Sequence, residues 1–366
     1  MKILIVGAGV AGLAIGWRLA EAGMDVEILE RGVAGRGATW ASAGMIAPGA
    51  ELRRDKSPME DFAQDARAQW PQFAKALEAA SGQSISYSET GSLLLAESPE
   101  RAHALETRAA QDGAHSQWLA PVQLREREPL LSRSLLGALY LCDDAQVDNR
   151  ALSDALCIAV AKAGARLHER CDVRSVVIQE GRARGVITAE GAFEADLIVL
   201  ACGAWMNLIG GIGADVLPPV KPAKGQMVAC ESPAGTILPR SPIWAQDVYL
   251  VPRTDRLFIG ATVEDASFDL SISREARDSL LAAATRLIPT LDQWRVAEMW
   301  AGLRPRTPDD APVLGATAVA GLHVAGGQFR NGILFAPAVA DMLCHLIVDG
   351  TRSAPSAFDP RRFTAS

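Results

Sequence analysis

An α/β fold of the mixed α+β kind is the class predicted for this chain of 366 residues, and three observations carry the prediction. Residues 1–30 read as strand, glycine turn, helix and strand. Residues 173–201 read as a small antiparallel meander returning to a wholly apolar strand. Residues 216–294 carry three further strand signals and then a helix, without the first pattern. The alternation of strands and helices calls for a doubly wound parallel sheet, and the last region for a second, mixed sheet.

The opening segment is the most specific. The strand Lys2–Val6 runs into Gly7, Gly9 and Gly12, and Glu30 closes the second strand. In a strand–turn–helix of this spacing, Gly7 permits the tight turn. Gly9 leaves room for a pyrophosphate, and Gly12 lets the helix lie close on the strand. The helix N-terminus offers free N–H groups and positive dipole to phosphate. Glu30 is placed to accept from a ribose hydroxyl and would repel a 2′-phosphate. The motif predicts a Rossmann-like dinucleotide site and leaves open whether the ligand is NAD or FAD.

Later segments follow the same logic. The stretch 35–48 is too small and too apolar for an ordinary loop; it suits either tight packing or close approach of backbone to a large flat ligand. Helices are expected over about 57–80, 100–114, 151–163 (capped by Asp148 or Asn149), 273–287 and 332–348; strands are expected at 91–96, 138–141, 173–179, 184–188, 197–201, 225–230, 248–252, 257–261 and 322–325. Gly203 follows a buried strand and is a second point where backbone can meet a ligand. The glycine-rich start of the helix at Gly332 would stabilise negative charge in front of it, as a reduced flavin requires, which favours FAD over NAD.

Composition narrows the partners. Hydrophobic residues make up 49% of the chain and the net charge is −7, which suits a globular protein and disfavours nucleic-acid or anionic-membrane surfaces. No apolar run reaches membrane-span length, and the glycine-bearing N-terminus does not read as a signal peptide, so a cytoplasmic protein is expected. Six scattered cysteines and five scattered histidines show neither disulfide nor metal-ligand spacing. Cys202 reads as packing, and Trp40, Trp205 and Trp300 as core. The residues alone leave Arg304 between a carboxylate clamp and a structural ion pair, and Tyr249 between a core ring and a pocket ring. Arg253 and Arg306 are weaker candidates, read equally as surface charges.

Taken together, AGM at 43–45, WAGLRP at 300–305 and FRNGIL at 329–334 resemble the D-amino-acid oxidase family of flavoproteins, most closely its bacterial glycine oxidases of thiamine biosynthesis. The resemblance covers essentially the whole chain. It implies a Rossmann-like FAD-binding domain of the glutathione-reductase type (1–85, 142–215 and 295–366) interleaved with a substrate domain on a mixed β-sheet (86–141 and 216–294). Noncovalent FAD would then meet Gly7, Gly9, Val10, Ala11, Gly12, Glu30 and Arg31 at the fingerprint, and Ala38, Thr39, Ala43, Gly44 and Met45 along the loop. Val173 and Gly203 would contact it by backbone, and Gln328, Phe329, Arg330, Asn331, Gly332, Ile333 and Leu334 would lie under its pyrimidine end.

Arg304 would clamp the substrate carboxylate, with Arg330 and Tyr249 as further substrate-side contacts, and Val263 and Asp247 would bear on pocket size. No general base is assigned. The implied reaction is oxidative deamination of glycine or a small D-amino acid by molecular oxygen, releasing ammonia and hydrogen peroxide, in a homo-oligomer that is tetrameric by resemblance. An N-methyl amino acid (sarcosine-like) oxidase and a quinone-linked D-amino acid dehydrogenase share the FAD motifs. A non-enzymatic FAD-storage module is the structural alternative.

Overall fold

The computed structural model describes residues 1–52, 57–213 and 215–363. Its organising element is a six-stranded sheet in the order Val313–Ala316, Leu322–Gly326, Leu197–Leu200, Lys2–Val6, Asp25–Leu29 and Arg166–His168. Every neighbouring pair is parallel except the first. From Lys2–Val6 the chain moves to Asp25–Leu29 on one side and later returns to Leu197–Leu200 on the other. That reversal of strand order leaves a crevice beyond the carboxyl ends of the strands, where open α/β sheets bind ligands.

Strands covered on both faces should be apolar throughout, and Leu197–Leu200 is buried at all four positions. The helices Val10–Glu21, Pro58–Ser81, Asn149–Lys162 and Gly332–Val348 share one core on one face. The meander Val173–Gln179, Arg182–Thr188 and Ala192–Glu194 contributes to the core on the other. Local chemistry sets the helix starts. The Ser57 hydroxyl accepts from the Glu60 N–H ahead of Pro58, and the Asp148 carboxylate accepts from the N–H groups of Arg150 and Ala151. Trp70, fully buried, donates its indole N–H to the Leu334 carbonyl at 3.0 Å and ties the second of these helices to the last.

The second sheet has eight strands, in the order Arg295–Arg306, Lys221–Glu231, Arg256–Gly260, Tyr249–Pro252, Ile243–Trp244, Ser92–Leu95, Ala138–Leu141 and Ser116–Leu119. Its pairs are antiparallel save Ile243–Trp244 beside Ser92–Leu95. The helix Arg274–Leu287 covers one face, its first turn held by the Ser273 hydroxyl. The other face brings Met227, Tyr249, Phe258 and Trp300 against Ala41, Ala43 and Ala47 of the small-residue stretch.

The strand Arg295–Arg306, read from sequence only as a return to the first region, pairs along its length with Lys221–Glu231. Glu298, Gly302 and Pro305 break its alternation, so its backbone partner rather than its side-chain pattern makes it a strand. The edge strand Ser116–Leu119 and the helix Pro121–Arg127 were also not anticipated. They are too short and too polar for periodicity to register. Among the described residues no helix is long and apolar enough to cross a membrane.

Candidate functional site

A cavity of about 590 Å³ opens at the strand-order reversal. At its inner end Gly7 has φ +104°, and a Cβ there would lie 2.5 Å from the Ala201 carbonyl oxygen. A Cβ on Gly12 would lie 2.0 Å from the Gly7 carbonyl oxygen, so helix and strand approach only because none is present. Gly9 differs: a Cβ there would meet only the Thr39 hydroxyl, at 3.6 Å. That hydroxyl accepts from the Val10 N–H at 2.9 Å and folds the small-residue stretch over the helix start.

Both carboxylate oxygens of Glu30 accept backbone N–H groups, from Ala8 and Gly32, each at 2.8 Å. A carboxylate oxygen retains capacity for a second donor, so these bonds orient Glu30 without exhausting it. The Arg31 guanidinium lies 3.7 Å over the Trp205 ring and joins the Gly203 segment to this wall. Trp205, expected in the core, lines the cavity, as do Ala11 and Val173.

The next wall is Ala38, Thr39, Ala43, Gly44 and Met45. Gly44 has φ +66°, and a Cβ would lie 2.0 Å from the Val147 carbonyl oxygen. Behind this stretch Arg253 donates to the carbonyls of Ala43 and Val147 and to Gln146 Oε1, and burial pushes its pKa down to about 10. Arg253 is therefore a buried brace for the loop and not a surface charge. Arg306 is a surface group, paired with Asp310.

At the far end lie Tyr249, Arg304, Gln328, Phe329, Arg330, Asn331, Gly332 and Ile333. Arg304 donates to the Thr262 carbonyl at 3.1 Å, and its guanidinium covers Gly225, where a Cβ would sit 2.4 Å from both terminal nitrogens. Among the described residues it has no carboxylate partner. Tyr249 is buried with its hydroxyl 3.7 Å from Met227 Sδ; burial raises its pKa, with the charges of Arg304 and Arg330 acting against that rise. Arg330 instead forms a forked pair with Glu51, Nε to Oε2 at 2.7 Å and Nη2 to Oε1 at 3.2 Å. Burial alone would lower the Arg330 pKa; the Glu51 carboxylate more than offsets it and holds it raised.

Two expected contacts lie outside the cavity wall. Gly12 is spent on helix–strand packing, and the Leu334 side chain is buried while its carbonyl serves Trp70. Asp247 pairs with Arg286 at the surface and Val263 is half exposed; neither lines the cavity, whereas Leu270 does. Glu51, Met227, Gly225 and Leu270 were not anticipated. Glu51 sits six residues beyond Met45 in the same segment, and nothing in its local pattern separates it from a surface acid.

Polar atoms along the cavity point to a ligand of the expected kind. Among the described residues the buried Gln328 Nε2 and Asn331 Oδ1 have no hydrogen-bond partner. Asn331 heads the helix Gly332–Val348 and, among the described residues, gives it no side-chain cap; Gly332 and Ile333 of its first turn line the cavity end. Backbone donors and the Glu30 carboxylate at one end, small residues between, and amide donors at the other suit a flavin dinucleotide.

Comparison with known proteins agrees. Residues 2–346 match the family model described as FAD dependent oxidoreductase. The chain is 36% identical over 369 residues to the bifunctional protein ThiO/ThiG of Synechocystis, covering 99% of this chain and 54% of that one. It spans about half the length of the bifunctional relatives it matches. It is 35% identical over 370 residues to the glycine oxidase of Geobacillus kaustophilus, covering 99% and 96% of the two chains. The crystal structure of glycine oxidase from that organism superposes with a TM-score of 0.92 at 34% identity, over 100% of both chains. The cradle, the crevice and this end-to-end likeness have one explanation, and the chain belongs to the DAO family of FAD-dependent oxidoreductases.

Proposed function

We propose that the chain oxidises glycine or a small D-amino acid with FAD, giving the imino acid that hydrolyses to the keto acid and ammonia while oxygen becomes hydrogen peroxide. The observation that carries the reading is Arg304, a guanidinium on the wall of the flavin cavity that donates to the Thr262 carbonyl and, among the described residues, pairs with no carboxylate. A flat carboxylate is the partner its fork lacks. The expected roles of the other residues follow from their positions: Gly7, Gly9, Val10, Ala11, Glu30 and Arg31 at the pyrophosphate and ribose, Ala38 to Met45 along the ring, and Gln328 to Ile333 at the pyrimidine end.

FAD, when bound, accepts the two electrons of the substrate. The chain's own contribution is orientation: Arg304 fixes the carboxylate, Tyr249 closes the pocket beside it, and only one Cα hydrogen then faces the ring. Noncovalent attachment is supported by the absence of cysteine from Leu303 to Thr307. The same reading takes residues 1–85, 142–215 and 295–366 as the cofactor-bearing part and 86–141 with 216–294 as the substrate part, although the strand Arg295–Arg306 itself pairs into the second sheet; residues 53–56, 214 and 364–366 lie outside the described residues. The glycine oxidase and ThiO/ThiG relatives support amino acid oxidation; the cytoplasmic homo-oligomer supplying the imine for thiamine thiazole synthesis is part of the same proposal and rests on the resemblance.

The test is peroxide release from the yellow holoprotein with glycine, sarcosine, D-alanine, D-proline and larger D-amino acids, against L-alanine and methylamine. Turnover of glycine or a small D-amino acid, without L-alanine or methylamine, is expected. Comparable rates with L-alanine or methylamine would overturn the orientation argument.

A further inference from the structure

The substrate end of the cavity holds two guanidinium groups in opposite electrostatic states. Arg304 is held by backbone carbonyls and, among the described residues, meets no carboxylate. Arg330 is forked to Glu51, whose side chain is only 11% exposed and whose two oxygens are both engaged. Glu51 is in turn fixed from behind. Its short helix Pro48–Glu51 is held at Gly49, where Asp144 Oδ1 accepts the Gly49 N–H at 2.9 Å and Arg108 donates to the Gly49 carbonyl at 2.7 Å. Tyr249 feels Arg304, Arg330 and Glu51 together, which places all three charges about one space.

We propose that Glu51 is a specificity-determining positioning residue. By neutralising Arg330 it leaves Arg304, among the described residues, as the one uncompensated cation beside Tyr249 at this end of the cavity, so the site takes amino acids with one carboxylate and rejects those with two. A second carboxylate entering beside Arg330 meets the Glu51 carboxylate, and a like charge opposed at that range in a water-poor cavity is costly. A forked arginine–carboxylate pair is not displaced by a ligand carboxylate without leaving Glu51 buried and unpaired. The substrate class deepens the function proposed above and rests on it.

The experiment compares the wild-type holoprotein with Glu51→Gln, using two readouts. The first is the ratio of kcat/KM for D-aspartate to that for glycine. The second needs no turnover: the flavin absorbance change is titrated with acetate and with malonate, giving a ratio of dissociation constants. Removing the negative charge frees Arg330, and both ratios should move toward the dicarboxylate by about tenfold or more. Glu51→Asp, which keeps the charge, should stay near wild type, and adding Arg330→Leu to Glu51→Gln should abolish the gain.

Unchanged malonate-to-acetate discrimination in a Glu51→Gln protein that still carries FAD would overturn the proposal, as would a gain that survives the loss of Arg330. A protein that oxidises none of the amino acids yet shifts toward malonate on Glu51→Gln would remove the activity proposed above and leave this charge assignment standing. If Glu51→Gln fails to retain FAD, Glu51→Asp and Arg330→Leu carry the same titration: a dicarboxylate preference in Glu51→Asp like that of wild type supports the proposal, and dicarboxylate binding that strengthens on losing Arg330 overturns it.

Discussion

The two ends of the cavity are built on different principles. The inner end is backbone: Gly7, Gly12 and Gly44 stand where a Cβ would fall within about 2.5 Å of a carbonyl oxygen, and N–H groups supply the donors. The outer end is side chain: Arg304, Tyr249, Arg330 and Glu51 come from the second sheet, the start of the last helix and the end of the small-residue stretch. A site made of backbone tolerates almost no added atom, because nothing can move aside. A site made of side chains tolerates exchange and changes preference instead of collapsing. The same molecule therefore holds its cofactor end rigid and its substrate end open to tuning.

The sharpest way to break the contrast is Gly12→Ala. The new methyl would lie 2.0 Å from a main-chain oxygen, and relief requires the first helix to leave the sheet. Overpacking a tight core costs about 1–3 kcal/mol or more, and here the helix start that lines the cavity, the proposed pyrophosphate site, moves too. Purified Gly12→Ala should be colourless and melt well below wild type; a yellow variant with an unchanged melting temperature would show that the inner end is not rigid.

Asp144 tests the link between the two ends, since it holds Gly49, two residues before Glu51 in the same short helix. Burial raises its pKa from an ordinary 3.8 to about 7, against the opposing hydrogen bond from the Gly49 N–H. The sign follows from proton counting. Below about pH 4 folded and unfolded chains both carry the proton; between about 4 and 7 only the folded chain does, so rising pH favours unfolding. Above about 7 the effect levels off. Each unit is worth about 1.4 kcal/mol, so Asp144→Asn, which has no such titration, should match wild type near pH 4 and exceed it increasingly toward pH 7 in urea midpoint. A stability difference independent of pH would remove Asp144 as the titrating group.

At the outer end the expected losses are of substrate, with FAD kept. Arg304→Lys replaces a fork by a point charge and forfeits a charge-assisted hydrogen bond of about 1.5–3 kcal/mol. KM for the best amino acid should rise roughly ten- to hundredfold, with the flavin spectrum intact. An unchanged KM would take Arg304 out of the pocket.

The same division explains what could be read from the chain alone. Gly7, Gly9 and Gly12 are legible because a backbone-built turn constrains consecutive residues, and four strands of the six-stranded sheet are legible because they are buried apolar runs; its two edge strands, Arg166–His168 and Val313–Ala316, were not anticipated. Arg253 and Glu51 are not, because each acquires its role from partners far along the chain: Arg253 from Ala43 and Val147, Glu51 from Arg330. The strand Arg295–Arg306 escaped for a related reason, since its partner Lys221–Glu231 lies some seventy residues away and its own pattern is interrupted. Gly12 and Leu334 show the converse: both sit in legible motifs, yet one serves helix–strand contact and the other supports Trp70.

Gly9 supplies the smallest and most discriminating effect. It shares the fingerprint with Gly7 and Gly12, but a Cβ at Gly9 would meet only the Thr39 hydroxyl at 3.6 Å, an ordinary contact, and its φ of −78° suits any residue. Nothing in the protein requires glycine at this position; the cofactor does, if the pyrophosphate packs against that face of the turn. Gly9→Ala should therefore fold and melt as wild type does without cofactor, and differ only in FAD affinity. A methyl that must be accommodated by a slight shift of phosphate costs about 1.4 kcal/mol, roughly a tenfold rise in the dissociation constant. Measured by flavin fluorescence on the apoprotein, that change separates a glycine required by the ligand from those required by the fold. An unchanged FAD affinity would place the pyrophosphate away from Gly9, whereas a lowered melting temperature of the apoprotein would mean that the turn has less room than its contacts indicate.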